Sequence, residues 1–284
     1  MPTGDLSVVV TGASSGIGEA TALHLDKHGF RVFAGVRRDA DGESLTKRAS
    51  GRLTPIRLDV TDSESVASAA AFVGRQTSGR LLGLVNNAGL SINGPLELVP
   101  VEQVKKLMEV NVIGLMAVTK AFLPLLRSAK GRIVNIGSGH GLLAVPDKSA
   151  YAASKFAVRA ISDSLRVELQ PFGVAVSYVS VGKVDTEVLD KIVAEREAMV
   201  RQANEDVVDL YRPLMDFFDR EVKDLPGIAP VEVAKVVTEA VISENPEPYP
   251  LIGPGARKMR NLARLPVRLR DWLFVKTLYS RRSA

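Results

Sequence analysis

Tyr151 and Lys155 stand four residues apart in Ser149-Ala-Tyr-Ala-Ala-Ser-Lys155. On a helix that spacing puts both side chains on one face, one turn apart. An ammonium held beside a phenol favours the phenolate, so the pair predicts a tyrosine tuned below its ordinary pKa of about 10. Such a tyrosine can give or take a proton at a carbonyl or alcohol oxygen. Alone the pair is weak, because most Tyr-x-x-x-Lys pairs on helices are simply solvated. Its upstream neighbours give it weight.

The chain opens with an apolar run, Leu6-Ser-Val-Val-Val10, then Thr11-Gly-Ala-Ser-Ser-Gly-Ile-Gly18, then a helical pattern through His28. Glycines at 12, 16 and 18 let the backbone turn tightly and approach a pyrophosphate, and the helix N-terminus offers it free N–H groups. A ligand-free strand-to-helix corner is the bland alternative. The strand before and the helix after match the dinucleotide signature.

In order along the chain come Thr11-Gly-x-x-x-Gly-x-Gly18, Asp59-Val60, Asn86-Asn-Ala-Gly89, Asn111, Ser138 and Tyr151-x-x-x-Lys155. Together they resemble the short-chain dehydrogenase/reductase family, over about residues 6–186. Gly94-Pro-Leu-Glu97 and the long C-terminal extension resemble most the branch that handles steroids, retinoids and other lipophilic alcohols. The resemblance implies hydride transfer between a nicotinamide and a carbonyl carbon. Tyr151 would be the general acid and base, Lys155 would hold its pKa down and bond the nicotinamide ribose, and Ser138 would bond the substrate oxygen. Asn111 would kink its helix and hold a water that relays protons to the lysine.

For the cofactor, the resemblance implies contacts from Gly12, Ser14, Ser15, Gly16, Ile17 and Gly18, and from Tyr151 and Lys155. Asp59 would accept from the adenine amino group, Val60 would donate its N–H, and Asn87, Ala88 and Gly89 would shape the floor. As a helix N-cap, Asp62 fits better than Asp59. Gly182, Val184 and Thr186 would clamp the carboxamide, although Val181 stands where relatives carry proline.

Cofactor choice turns on Gly35-Val-Arg37-Arg38 at the end of the second strand. An acid there would bind a ribose 2′-hydroxyl, whereas guanidinium groups suit a 2′-phosphate. NADP(H) is therefore favoured over NAD(H). Exposed surface charge is the bland reading of the two arginines, and Ser15 occupies a position where many NADP-dependent relatives are basic.

Strand-like runs at 6–10, 31–36, 53–58, 82–86, 131–137, 174–180 and 249–252 alternate with helical patterns at 17–28, 62–76, 101–127, 150–170 and 230–243. That alternation predicts one α/β domain, a Rossmann-type doubly wound parallel sheet. It would span residues 1–255, with a basic extension at 256–284. Residues 187–224 lie outside the repeating plan, and are either a surface helical pair or, the favoured reading, a helical lid over the substrate. Leu90, Ile92, Leu142, Leu143, Val145 and Pro146 flank the motifs and favour a bulky lipophilic alcohol or ketone. His140 either touches the substrate or, the favoured reading, is an ordinary loop histidine.

The chain has 284 residues, 46% of them hydrophobic, a net charge of +5 and no cysteine. Its length suits a single large core. With no cysteine, only three histidines and no His-x-x-x-His spacing read among them, no metal site, and in particular no catalytic zinc, is expected. No apolar run approaches the roughly 20 residues needed to span a bilayer. The absence of cysteine and of a signal-like leader suggests a cytoplasmic protein. Residues 257–282 carry nine basic residues and one acid, so the rest of the chain is slightly acidic and nucleic-acid binding is not expected. After Pro266 the tail reads as a basic amphipathic helix with Trp272 and Phe274. It would either touch the inner face of an anionic membrane or pack on protein. A homodimer or homotetramer is expected from the resemblance. The competing class is a nucleotide-sensing regulator without turnover.

Overall fold

The computed structural model describes residues 6–186 and 188–279. Its strands are β1 (Ser7–Val10), β2 (Arg31–Val36), β3 (Leu53–Arg57), β4 (Gly83–Asn86), β5 (Arg132–Ile136), β6 (Ala175–Val181) and β7 (Leu251–Ile252). They form one parallel sheet in the order β3-β2-β1-β4-β5-β6-β7. Helices α1 (Gly16–Lys27), α2 (Asp39–Thr46), α3 (Ser63–Gln76), α4 (Val101–Met108), α5 (Leu115–Ala129) and α6 (Ser149–Glu168) follow the first five strands. Beyond β6 lie α7 (Val188–Gln202), α8 (Glu205–Asp224), α9 (Pro230–Ile242), α10 (Ala256–Leu262) and α11 (Val267–Tyr279).

The central strands are mostly valine, isoleucine and other apolar residues, because helices cover both faces. On one face Val8 and Val10 meet Ala22 and Leu25 of α1 and Val233 and Val237 of α9. On the other, Val9 and Phe33 meet Val66 and Val73 of α3 and Val118 and Phe122 of α5. Strand order reverses at β1, which pairs with β2 on one side and β4 on the other. The loops after β1 and β4 therefore diverge and open a crevice at the strand ends.

The expected single helix at 101–127 is α4 and α5 joined by a π-helical turn, Glu109–Gly114. The whole stretch Val101–Ala129 is long and apolar enough to cross a membrane, contrary to the expectation that no such run exists. Its apolar character belongs to the core, since Leu107, Val112, Val118, Phe122 and Leu126 are buried. Helix α2 was not expected; its periodic pattern is short, and Gly42 lies where a Cβ would meet Pro55 at 2.7 Å. Strand β7 is shorter than its apolar run, because Pro248 and Pro250 accept from Tyr178 and Ser180 but have no N–H to give. Asp62 caps α3, accepting from the N–H groups of Glu64 and Ser65.

Helices α7 and α8 carry a small core of their own. Met199, Val208 and Met215 pack on Leu98 and Val99 of the segment between β4 and α4. Helix α11 contacts α8. Its apolar residues lie on both sides, so it is not the simple amphipathic helix expected. Leu273, Phe274 and Leu278 are half-buried, while Val267, Leu269, Trp272 and Val275 face solvent. Arg281 and Arg282, part of the basic tail, lie outside the described residues.

Candidate active site

The glycine loop is built by close approach. Gly12 and Gly16 have φ of 63° and 57°, the left-handed region that glycine enters without strain. A Cβ at Gly12 would meet Ala88 Cα at 2.8 Å, and one at Gly18 would meet the Gly12 carbonyl at 2.2 Å. Thr11 Oγ1 accepts from the N–H groups of Asn87 and Ala88 at 3.0 Å, and Asn87 Nδ2 donates to the carbonyls of Thr11 and Gly12 at 3.0 Å. The Asn87–Gly89 segment is thereby locked against the loop. Ser15 is the N-cap of α1 but makes no side-chain cap bond. The first N–H groups of α1 remain available to an anion. Ser14, Ser15 and Ile17 sit on this turn with no burial that would seal it. Thr186 reaches the same loop, its Cγ2 lying 3.3 Å from where a Gly16 Cβ would be.

Gly182 is held under Pro254, whose carbonyl lies 2.2 Å from where a Cβ on that glycine would be, and its N–H donates to the Ile252 carbonyl at 2.7 Å. Val181 continues β6 by one residue, in register with Ile252. Val184 is buried and bridges to Ile228. At the other end of the crevice, Arg37 and Arg38 follow β2 and are exposed. Arg38 is already engaged: its guanidinium pairs with both oxygens of Asp41 at 2.7 and 3.0 Å. Asp59 Oδ1 accepts from Thr61 N–H and Oγ1, and these bonds hold its carboxyl below the usual range. Val60 is buried beneath it.

Helix α6 sets Tyr151 and Lys155 on one face. Lys155 Nζ donates to the Ile136 carbonyl at 3.0 Å and lies 5.8 Å from the Tyr151 ring centre. It is 8% exposed, and burial pulls its pKa down to about 8. Burial also pushes the Tyr151 phenol up, while the hydrogen bond from Ser138 opposes that. The expected depression of the tyrosine by its lysine is thus reversed, because desolvation of the phenolate outweighs an ammonium that turns to a carbonyl. Lys155 is the group brought near neutrality.

Ser138 is positioned by a residue that no sequence motif singled out. The Tyr178 hydroxyl donates to the Ser138 carbonyl at 2.9 Å and accepts from its N–H at 3.0 Å. Gly137 and Gly141 make room for that ring, since Cβ atoms there would lie 2.1 and 2.0 Å from Tyr178. The signal available was Gly137 before Ser138 and Gly141 three residues after it, following a strand. Asn111 sits in the π-turn and is buried. Its side chain accepts from Leu90 N–H at 2.7 Å and donates to the Leu90 carbonyl and Ser154 Oγ. The side chain is therefore committed to pinning the β4–α4 segment against α6.

His140 is not an ordinary loop histidine. Its ring stands edge-on to Tyr151, centres 5.7 Å apart. Its Nδ1 is buried without a hydrogen-bond partner, and burial, with Lys148 nearby, pulls its pKa down to about 3. Lys148 itself is brought down to about 8 by burial. Of the expected pocket residues, Leu143 is buried in the core, while Leu90, Ile92, Leu142, Val145 and Pro146 are half-buried. The expectation of no metal ligands overlooked His24 and His28, four residues apart on α1. Their rings stack, and no cluster of three metal-ligating side chains occurs among the described residues.

A doubly wound parallel sheet that opens a glycine loop at its switch point is the Rossmann type of dinucleotide-binding fold. The family profile "short chain dehydrogenase" matches residues 7–197, and this chain belongs to that family. It is 45% identical over 188 residues to the mitochondrial D-beta-hydroxybutyrate dehydrogenase of Bos taurus, covering 64% of this chain and 55% of that one. It is 36% identical over 260 residues to estradiol 17-beta-dehydrogenase 2 of Mus musculus, covering 89% of this chain and 64% of that one. This chain thus spans about half to two thirds of those relatives. Among solved structures, a short chain dehydrogenase from Burkholderia cenocepacia J2315 in complex with NADP superposes with a TM-score of 0.73. The two are 28% identical, over 97% of this chain and 99% of that one.

Proposed function

We propose that this chain is an NADP(H)-dependent oxidoreductase that interconverts a lipophilic secondary alcohol and its ketone, or a primary alcohol and its aldehyde. The observation that carries this reading is Ser138, Tyr151 and a buried Lys155 of pKa about 8, gathered beside the glycine loop. A nucleotide sensor needs none of the three.

A bound nicotinamide supplies or accepts the hydride. The chain's own residues do the rest. Gly12 to Gly18 and the α1 N-terminus hold the pyrophosphate, Asp59 and Val60 the adenine, and Gly182, Val184 and Thr186 the carboxamide. Ser138 fixes the substrate oxygen. Tyr151 gives its proton to that oxygen in reduction and takes it back in oxidation. Lys155, near neutrality, holds the proton that restores Tyr151. The NADP(H) preference rests on Arg37 and Arg38, and the NADP-bound relative is consistent with it.

Half-buried apolar residues around the motifs and the helical pair α7–α8, read as a lid, support a lipophilic substrate, as does a relative named for estradiol. A second reading is a short hydroxy acid, as in the relative named for hydroxybutyrate. His140 Nδ1, unpartnered on a ring that stands beside Tyr151, favours it, because it would suit a polar group on the substrate. Turnover of a panel of steroid, retinoid, aliphatic and hydroxy-acid substrates with both cofactors decides between the two. No turnover of any alcohol or ketone with either cofactor would overturn the enzyme reading itself. Exposed Val101, Ile113, Met116 and Phe156 on α4, α5, α6 and the π-turn suit a homodimer or homotetramer. We place the protein in the cytoplasm, with α11 available to an anionic membrane surface.

A further inference from the structure

Behind the loop that carries Ser138 lies a cavity of about 440 Å³, walled by α6, the β6–β7 edge and α10. Three guanidinium groups line it: Arg159 from α6, Arg260 from α10 and Arg264 just beyond it. Glu247 is the one acidic residue in the lining; Asp163, one turn along α6, feels the charge of Arg159, but none of the three arginines forms a close ion pair among the described residues. Arg159 lies over the Tyr249 ring at 5.4 Å, and Tyr249 also lines the cavity. Ser180, fully buried in the lining, has a hydroxyl with no hydrogen-bond partner. Leu142, Leu251 and Ala263 supply an apolar wall.

Three like charges facing one space repel, and a buried hydroxyl without a partner costs about 1–3 kcal/mol. One anion relieves both. Guanidinium forks match the oxygens of carboxylate and phosphate, while the tyrosine ring and the aliphatic wall suit an attached apolar body. We infer that this cavity is a binding site for a small amphiphilic oxyanion, a carboxylate or phosphate head on an alkyl or aryl body.

The site is tied to the catalytic loop on two sides. Arg159 donates to the Gly141 carbonyl at 3.5 Å, and Leu142 belongs to both the loop and the cavity. Met259 of α10 lies 2.5 Å from where a Gly139 Cβ would be. An anion drawing Arg159 and Arg264 together would press α10 onto residues 139–142, next to Ser138. Occupancy is therefore felt in substrate binding.

The test is calorimetry of the full chain with octyl phosphate, octanoate and the neutral control octanol, at saturating NADP(H) so that the nucleotide site is filled. Saturable binding of the two anions and not of octanol is expected. Arg260→Ala with Arg264→Ala should weaken both anions at least about tenfold while basal turnover is retained. Octyl phosphate should shift the KM for an alcohol substrate in the wild type and not in this variant. Sedimentation with phosphatidylglycerol vesicles tells a bilayer headgroup, pelleting the wild type but not the variant, from a free anion, which leaves both in solution. Absent binding, equal binding of octanol, or unchanged affinity in the variant would each overturn the site. An unmoved KM with the anion bound would overturn its coupling to the loop.

Discussion

The Tyr178 hydroxyl grips both backbone groups of Ser138, accepting from its N–H at 3.0 Å and donating to its carbonyl at 2.9 Å. The ring is wholly buried, and burial pushes its pKa up, so it remains a neutral donor throughout the working pH range. Tyr178→Phe leaves the ring and removes both bonds. Two buried backbone groups then lose their partner, a loss of roughly 1–3 kcal/mol of stability. Urea denaturation should show this, and kcat should fall about 10–100-fold as Ser138 drifts. Unchanged kcat would mean that Ser138 is held by its loop alone.

Tyr151→Phe should abolish turnover while leaving cofactor affinity nearly intact. Only the phenolic oxygen is lost, and loss of acid–base catalysis alone costs at least about 10²-fold. Near-normal rates for the variant across a substrate panel would contradict the proposed chemistry.

Lys155 gives a coupled pair of outcomes. Its pKa falls from 10.5 to about 8 on burial, so the fold favours the neutral amine. Its share of stability is full above pH 10.5 and is lost as pH falls through 8, so at pH 7 the buried ammonium opposes folding. Lys155→Met should raise stability at pH 7 by about 1–3 kcal/mol, gain and lost hydrogen bond together, while removing activity. Thermal scans at pH 7 and pH 10 check the sign: the gain should shrink at the higher pH. In the wild type the reductive rate should decline as pH rises through about 8, where the lysine gives up its proton.

Replacing Arg37 and Arg38 with serine should weaken NADP(H) far more than NAD(H), because only the former carries a 2′-phosphate. Arg38 is shared with Asp41, so Arg37→Ser alone should take the larger part of the loss. Titration calorimetry with both cofactors measures it. Equal losses for the two would remove the arginines from the phosphate.

Trp272 is the sole tryptophan and faces solvent on α11 with Val267, Leu269 and Val275. Its fluorescence therefore reports on that helix. If the basic tail meets an anionic membrane, phosphatidylglycerol vesicles should shift the emission to the blue, and salt should reverse the shift. A blue shift that instead follows protein concentration without lipid would mark the face as a contact between subunits.

The Tyr151–Lys155 pair and the glycine loop were legible in the sequence because their geometry is local. A four-residue step on a helix and a glycine turn after a valine strand hardly depend on the rest of the fold. The strands were legible for a related reason, since burial on both faces demands near-continuous apolar runs. What decides how the site operates comes from residues far apart in the chain. Tyr178 reaches Ser138 across 40 positions, Asn111 reaches Leu90 across 21, and Thr186 overlies Gly16. Such contacts depend on strand order and helix packing, which no local pattern encodes. The pKa balance belongs to the tertiary structure too. The sequence pairs a lysine with a tyrosine, but only burial determines that desolvation exceeds their attraction and that the lysine is brought near neutrality. The basic tail shows the same division. Its charge was readable residue by residue, whereas the gathering of Arg260 and Arg264 around one cavity with Arg159 required α10 to fold back onto the turn after Ser138 and the sheet edge.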